Sequence, residues 1–128
     1  MKLAAAPAAA LGLLGCAAVA GAPDNTANAR GERAFQHCYA CHSVALGEEG
    51  LTGPNLAGIV GRPIAAMPGF AYSEELRALA AREERWSETL LDAFITDPEA
   101  VAPGNDMLFN GIADPAERAE LIAYLRAN

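Results

Sequence analysis

Apolar side chains gather on one side of four short stretches of the chain, as expected for amphipathic helices. No segment shows a convincing four-residue alternation of apolar and polar positions, so the pattern does not predict strands. Residues 46–68 contain five Gly and three Pro and are expected to form a loop. The expected packing residues are Phe35 in the first helix; Leu76, Leu79 and Ala80 in the second; Leu90, Leu91, Phe94 and Ile95 in the third; and Leu121, Ile122, Tyr124 and Leu125 in the last.

Polar residues with short side chains precede these helices and predict where each one begins. A side-chain oxygen at the N-cap accepts a hydrogen bond from an otherwise unpaired backbone N–H. The last helix has the clearest start, since Asp114 is followed by Pro115 at the first helical position and by Glu117 at the third. The expected spans run from a cap at Asn25 or Asn28 to about Gln36, from Ser73 onward, from Ser87 to before Pro98, and from Asp114 to about Ala127.

Residues 1–20 are predicted to be an export signal, because Lys2 gives a minimal positive start and an Ala-rich apolar stretch follows it. Two positions are possible for the end of this signal. Residues 18–20 before Gly21 fit ordinary cleavage, whereas residues 13–16 resemble a bacterial lipoprotein signal that is cut after Gly15. In the second case Cys16 carries lipid and tethers the protein to a membrane. Residues 21–29 are expected to be a linker and residues 30–128 a folded domain outside the cytoplasm.

The length of 128 residues suits one domain, and only 6 % of the residues are aromatic. Four short helices of this composition bury a thin core, so a non-protein component is expected to fill the middle. The formal charge is −7 at pH 7, and Lys2 is the only lysine. This balance argues against nucleic acid as a partner and against docking on anionic lipid through a broad basic patch.

Five consecutive residues, Cys38-Tyr39-Ala40-Cys41-His42, fit the attachment motif of c-type haem. Two thiols one helical turn apart can reach the two vinyl groups of the porphyrin, and His42 is then carried under the iron. A zinc site needs two further ligands, for which the chain offers only Cys16 and His37. A thiol–disulfide function needs a βαβ context, which the pattern lacks. We therefore expect one haem c, bound covalently through Cys38 and Cys41.

The second axial ligand of the iron has to come from elsewhere in the chain. His37 directly precedes Cys38 and cannot easily reach the opposite haem face, so it is expected to be an exposed or locally packed histidine. A methionine thioether is the natural soft donor, and position alone leaves both Met67 and Met107 open. Met107 is favoured, because it ends a Pro/Gly loop between two helices from which the backbone can wrap round to the far face.

Further motifs occur in order along residues 31–125. They are Thr52-Gly53-Pro54-Asn55-Leu56 followed by Gly61-Arg62, Pro68-Gly69-Phe70-Ala71-Tyr72, Trp86, the loop from Pro103 to Gly111, and residues 117–125 of the last helix. Together with the haem motif, they resemble the class I c-type cytochromes, the mitochondrial type and its bacterial periplasmic relatives. The resemblance implies an all-α cytochrome c fold, with about four short helices wrapped around one covalently bound haem c.

The resemblance also implies roles for individual residues. His42 is the proximal iron ligand, with the Pro54 carbonyl accepting its other ring N–H, and Met107 is the distal ligand. The haem propionates receive hydrogen bonds from Arg62, Tyr72 and Trp86. Elsewhere, Gly31 and Phe35 contact the last helix near Leu121 and Tyr124, and Phe109 lies beside the haem edge.

Some features depart from the family pattern. Phe94 stands where the family usually has a Tyr bonded to the Met sulfur, and the segment between Tyr72 and Trp86 is somewhat longer. The ring of lysines around the haem edge is absent, and Asp106 stands in the place of one of them. The acidic surface therefore predicts a basic docking face on the partner rather than an acidic one.

The function implied by the resemblance is one-electron transfer outside the cytoplasm, by a monomer that is not an enzyme. A quinol–cytochrome c oxidoreductase supplies the electrons, and a terminal oxidase or reaction centre accepts them. Two alternatives are open. One is a dedicated electron acceptor for a periplasmic dehydrogenase or reductase, which the missing lysine ring favours. The other is a haem peroxidase or gas sensor with a displaceable Met, which an intact Met107 disfavours.

Overall fold

The computed structural model describes residues 26–128 and has five helices in this range. They are α1 (Ala27–Phe35), α2 (Glu74–Arg82), α3 (Glu88–Thr96), α4 (Pro98–Val101) and α5 (Pro115–Ala127). None of these helices is long and apolar enough to cross a bilayer. The expected export signal, with Cys16, lies outside the described residues, and the expected linker 21–29 overlaps the start of α1.

Local capping explains where three of the helices begin. The hydroxyl of Ser73 accepts the N–H of Leu76 at 3.2 Å at the start of α2, and the hydroxyl of Ser87 accepts the N–H of Leu90 at 3.1 Å at the start of α3. The carboxylate of Asp114 accepts an N–H of α5 at 2.9 Å. These three expected starts are confirmed, since each depends on an interaction within one turn of the chain.

Two helix features differ from the expectation. The cap of α1 is Thr26, whose hydroxyl accepts the Ala29 N–H at 3.2 Å, while Asn28 lies inside the helix. Helix α4 is an additional single turn that the apolar pattern did not predict. Asp97 caps it, and Pro98, which ends α3, occupies its first helical position. The expected number was about four short helices, and α4 is one further single turn within residues 26–128.

Helices α1 and α5 pack closely across Gly31. A Cβ at this position would lie 2.5 Å from the Cβ of Tyr124 and 2.6 Å from the carbonyl oxygen of Glu120, so only glycine allows this approach. One turn later, the ring of Phe35 packs against the ring of Tyr124, with centroids 5.6 Å apart. The contact between the first and last helices, which the resemblance implied, is thus present and joins the two ends of the domain.

No extended strand forms within residues 26–128, where the only sheet-like feature is an isolated bridge between Pro63 and Arg85. The expected all-α class is therefore confirmed. The core collects buried apolar side chains from the helices and from the long loops. The partly buried side chains of Cys38 and Met107 both pack against this core. The two segments expected to hold the haem thus meet the same core.

Candidate haem site

The two cysteines lie on a turn that continues directly from α1. The N–H of Cys38 donates to the carbonyl of Phe35 at 2.8 Å, and the N–H groups of Cys41 and His42 donate to the carbonyl of Cys38 at 3.0 and 2.9 Å. Both thiols are free; that of Cys38 is half-buried and that of Cys41 is exposed. Two available thiols on one turn, with His42 directly after them, suit covalent attachment through two thioethers.

The pKa of the Cys38 thiol bears on which chemistry the two cysteines can perform. Burial raises the pKa of the Cys38 thiol to about 11, and the charge of neighbouring Cys41 acts in the same direction. Cysteines in thiol–disulfide and metal sites have lowered pKa values, because the thiolate is the active form. Within residues 26–128, moreover, no group of three or more His, Cys, Asp or Glu side chains is placed to hold a metal ion. The raised pKa of Cys38 argues against a use of this thiol as a thiolate, as the zinc and thiol–disulfide alternatives require.

The imidazole of His42 is held in one orientation by the loop opposite. Its Nδ1 donates to the carbonyl oxygen of Pro54 at 2.7 Å, which leaves Nε2 for another partner. Burial lowers the pKa of His42, and the bond to Pro54 opposes part of this shift. A Cβ on Gly53 would lie 2.7 Å from Nδ1 and 2.8 Å from Nε2. The ring therefore lies directly against the backbone of Gly53, where no other residue fits.

The loop that carries Pro54 is braced by Asn55, whose role the sequence pattern did not indicate. Its Nδ2 donates to the carbonyls of Ala45 and Glu48 at 2.6 and 2.8 Å, and its Oδ1 accepts the N–H of Ala57 at 2.8 Å. The residue is 7 % exposed. The one signal that the sequence offers for this role is the presence of an Asn in a Gly/Pro-rich loop, because Asn side chains often bond the backbone of turns. These bonds fix the carbonyl that orients His42.

The three residues expected at the haem propionates lie together. The N–H of Trp86 donates to the carbonyl of Arg62 at 3.0 Å, and Tyr72 is near enough to Arg62 to raise its pKa, against the lowering by burial. The hydroxyl of Tyr72 accepts the N–H of Met67 at 3.2 Å, so its own proton remains available to an acceptor. Trp86 is buried and packs edge-on against Phe94, with ring centroids 5.1 Å apart.

Arg62 provides a test of whether a haem fits these residues. Its Nη1 donates to the carbonyl of Ala57 at 3.2 Å. Its Nε, although buried, has no hydrogen-bond partner within residues 26–128. A buried N–H without a partner costs roughly 1–3 kcal/mol. An anionic acceptor such as a haem propionate would satisfy this donor, so the residues present fit the group.

Met107 lies in the loop between α4 and α5 and is half-buried against the core. Its N–H donates to the Oδ1 of Asn105 at 2.9 Å. The Nδ2 of Asn105 donates in turn to two carbonyls, that of Pro98 at 3.2 Å and that of Ala102 at 2.8 Å. Beyond Met107 the loop is bonded to the end of α3 through Ile112. The segment that carries Met107 is therefore fixed on both sides, and the part played by Asn105 was not expected.

The other candidate ligands have different surroundings. Met67 is half-buried in the loop before α2, where its backbone is bonded to Tyr72. His37 is exposed, and its Nε2 lies 2.9 Å from a carboxylate oxygen of Glu117 on α5. The expectation that His37 is a surface histidine is confirmed.

The sequence profile of the family described as Cytochrome c matches residues 28–128. The chain belongs to the cytochrome c family. Cytochrome c2 iso-2 of Magnetospirillum fulvum is 43 % identical over 73 % of this chain and 94 % of its own length. Cytochrome c of Chlamydomonas reinhardtii is 41 % identical over 77 % of this chain and 86 % of its own. Among solved structures, cytochrome c2 from Rhodospirillum centenum matches with a TM-score of 0.72 and 32 % identity, covering 78 % of this chain and 96 % of that one.

Members of the cytochrome c family are electron carriers with covalently bound haem c, and they are not enzymes. This cytochrome c is therefore a haem c electron carrier, with one haem for which Cys38 and Cys41 provide the attachment motif. The bound haem supplies an iron that changes between the ferric and ferrous states, which is one-electron chemistry. The chain supplies an oriented imidazole at His42 and a buried donor at Arg62.

Proposed function

We propose that His42 and Met107 fill the two axial positions of the haem iron. The observation that carries this proposal is the 2.7 Å bond from His42 to Pro54, because it orients the ring, leaves Nε2 as the donor atom and strengthens the imidazole as a ligand. Support for Met107 comes from its fixed loop and from its contact with the core that Cys38 also touches. A thioether as second ligand raises the reduction potential.

Two substitutions test the distal ligand. Met107→Leu is expected to abolish the Met–iron charge-transfer band of the ferric protein and to lower the reduction potential, because the thioether donor is lost. Met67→Leu is the matched control, since it removes the same group from the other half-buried methionine and is expected to leave both quantities unchanged. Loss of the band in Met67→Leu, with the band intact in Met107→Leu, would overturn the assignment.

With side chains at both axial positions, the iron offers no place to a substrate, and the protein exchanges electrons without bond chemistry. It carries electrons from a quinol–cytochrome c oxidoreductase to a terminal oxidase or reaction centre. The second candidate is a dedicated acceptor for one periplasmic dehydrogenase or reductase. The observation that favours it is the absence of lysine from residues 3–128. Reduction by purified quinol–cytochrome c oxidoreductase at a rate near that of its usual acceptor supports the first role, and failure to be reduced supports the second.

Surface charge supports a basic docking face on the partner. Within residues 26–128, all four ion pairs end on α5. By contrast, the exposed carboxylate of Asp106, directly before Met107, is in none of them, and the side chain of Leu108, directly after it, is 100 % exposed. The rate of electron transfer with the physiological partner is therefore expected to fall as ionic strength rises, less steeply in Asp106→Asn. A rate that rises with salt contradicts this surface assignment.

Export of the chain belongs to the same proposal, since c-type carriers of this kind act outside the cytoplasm. The family match begins at residue 28 and bears on the haem domain alone. Intact mass of the protein from the periplasmic and membrane fractions distinguishes the two processing routes. A mass that begins at Gly21 indicates a diffusing carrier, and an acyl group on Cys16 indicates a membrane-tethered one. A mass that includes Met1 to Ala20 overturns the export signal.

A further inference from the structure

Asn55 and Asn105 make the same pattern of three hydrogen bonds at two distant points of the chain. In each case Nδ2 donates to two backbone carbonyls, and Oδ1 accepts the backbone N–H two residues further on. Asn55 directly follows Pro54, which orients His42, and Asn105 bonds the backbone of Met107 itself. Each expected axial ligand thus has one asparagine that ties its loop to the rest of the fold.

We propose that Asn105 is a positioning residue that holds Met107 in place and so controls how readily an outside ligand reaches the iron. This inference rests on the ligation by His42 and Met107 proposed above. The effect of Asn105 passes through the backbone of Met107.

The side chain of Asn105 connects Met107 to a buried part of the fold. Asn105 bonds the carbonyls of Pro98 and Ala102, at the two ends of α4, and both of these residues are almost completely buried. Within residues 26–128, the carbonyl of Met107 accepts the N–H of Phe109, which lies in the same loop and moves with it. The bond from the Met107 N–H to Asn105 connects the backbone of Met107 to the helical part of the molecule.

The consequence is a change in ligand affinity that can be measured. A ligand that binds the iron only when Met107 has moved away has an apparent Kd equal to its intrinsic Kd divided by the open fraction. Asn105→Ala removes all three hydrogen bonds of the Asn105 side chain. The fraction of molecules in which Met107 has moved away from the iron is expected to rise about tenfold or more. The apparent Kd for the ligand falls by the same factor.

The experiment is a titration of the ferric holoprotein with imidazole, followed by loss of the Met–iron band. Asn105→Ala is expected to lower the apparent Kd about tenfold or more, as derived from the three lost bonds. Asn105→Asp keeps an acceptor for the Met107 N–H but turns an oxygen toward the carbonyls of Pro98 and Ala102, and its Kd is also expected to lie below that of the wild type. It also serves if the alanine variant does not fold.

Gly31→Ala is the control, because its added Cβ would lie 2.5 Å from the Cβ of Tyr124, in the contact between α1 and α5 rather than in either ligand loop. It is expected to lower the melting temperature as Asn105→Ala does, while its imidazole Kd stays within about twofold of the wild type. An equal fall of Kd in both alanine variants shows general loosening and overturns the proposal, as does an unchanged Kd in both Asn105 variants. A wild-type protein without the Met–iron band overturns the ligation itself instead.

Discussion

Replacing Gly53 by alanine tests whether the imidazole of His42 is held against the loop backbone. The added Cβ would lie 2.7 Å from Nδ1 and 2.8 Å from Nε2 of the ring, well inside contact distance. Either the ring or the loop has to move, and both movements lengthen the 2.7 Å bond from His42 to Pro54. Gly53 has no left-handed backbone conformation, so the expected effect comes from the collision alone.

Two contributions set the size of the effect of Gly53→Ala. Overpacking of a tightly filled site costs about 1–3 kcal/mol, and the loss of one hydrogen bond costs about 1 kcal/mol. The free energy of unfolding is thus expected to fall by about 2–4 kcal/mol, which lowers the melting temperature of a domain of this size by roughly 10–25 °C. Because the bond to Pro54 strengthens the imidazole donor and favours ferric iron, the reduction potential is expected to rise, by at most about 40 mV.

Thermal unfolding and redox titration of the holoprotein measure these two quantities. Gly50→Ala is the control in the same loop, because a Cβ there meets nothing within 4 Å and the cost is limited to its positive φ of 81°. That cost is about 1 kcal/mol, with no change in potential. The reasoning is refuted if Gly53→Ala is no less stable than Gly50→Ala and has the wild-type potential.

Three further substitutions test the frame around the site. Gly31→Ala, whose Cβ would lie 2.5 Å from that of Tyr124, is expected to lower the free energy of unfolding in guanidinium chloride by about 1–3 kcal/mol, and an unchanged midpoint contradicts the close α1–α5 contact. The side chain of Arg118 is 11 % exposed and donates to one carboxylate and two backbone carbonyls at 2.7–2.9 Å. Arg118→Leu is therefore expected to lower the free energy of unfolding by about 2 kcal/mol in the same assay. A decrease of less than about 0.5 kcal/mol contradicts this prediction. Ala65 has a φ of 55°, so Ala65→Gly is expected to be neutral or stabilising by about 0.5 kcal/mol, and a clear loss of stability rejects strain at this residue.

Much of the fold and of the chemistry followed from short stretches of the chain. The haem motif is contained in residues 38–42, because two thiols and an imidazole on one turn are enough to specify the attachment. Ser73, Ser87 and Asp114 marked helix starts, because each side chain bonds an N–H within three residues. The family resemblance supplied the expectation that Pro54 accepts the N–H of His42, and the structure has this bond.

Other features depend on contacts between distant residues or on competition between neighbours. Thr26 caps α1 although Asn25 and Asn28 are equally good capping residues by type, so the residue types alone do not choose between the three. The apolar pattern does not predict the additional turn α4, because Pro98 both ends α3 and occupies the first helical position of α4.

The sequence by itself thus determined the cofactor and the helical class, since covalent attachment, caps and amphipathic faces are local properties of the chain. Only the tertiary structure brought Arg62 beside Trp86 and left the Arg62 Nε buried with no partner among residues 26–128. It also placed the side chains of Asn55 and Asn105 where they bond the backbone near Pro54 and Met107. An asparagine side chain has the same donors and acceptor in every loop. Which carbonyls and N–H groups it bonds is decided by packing of segments that are far apart in the chain.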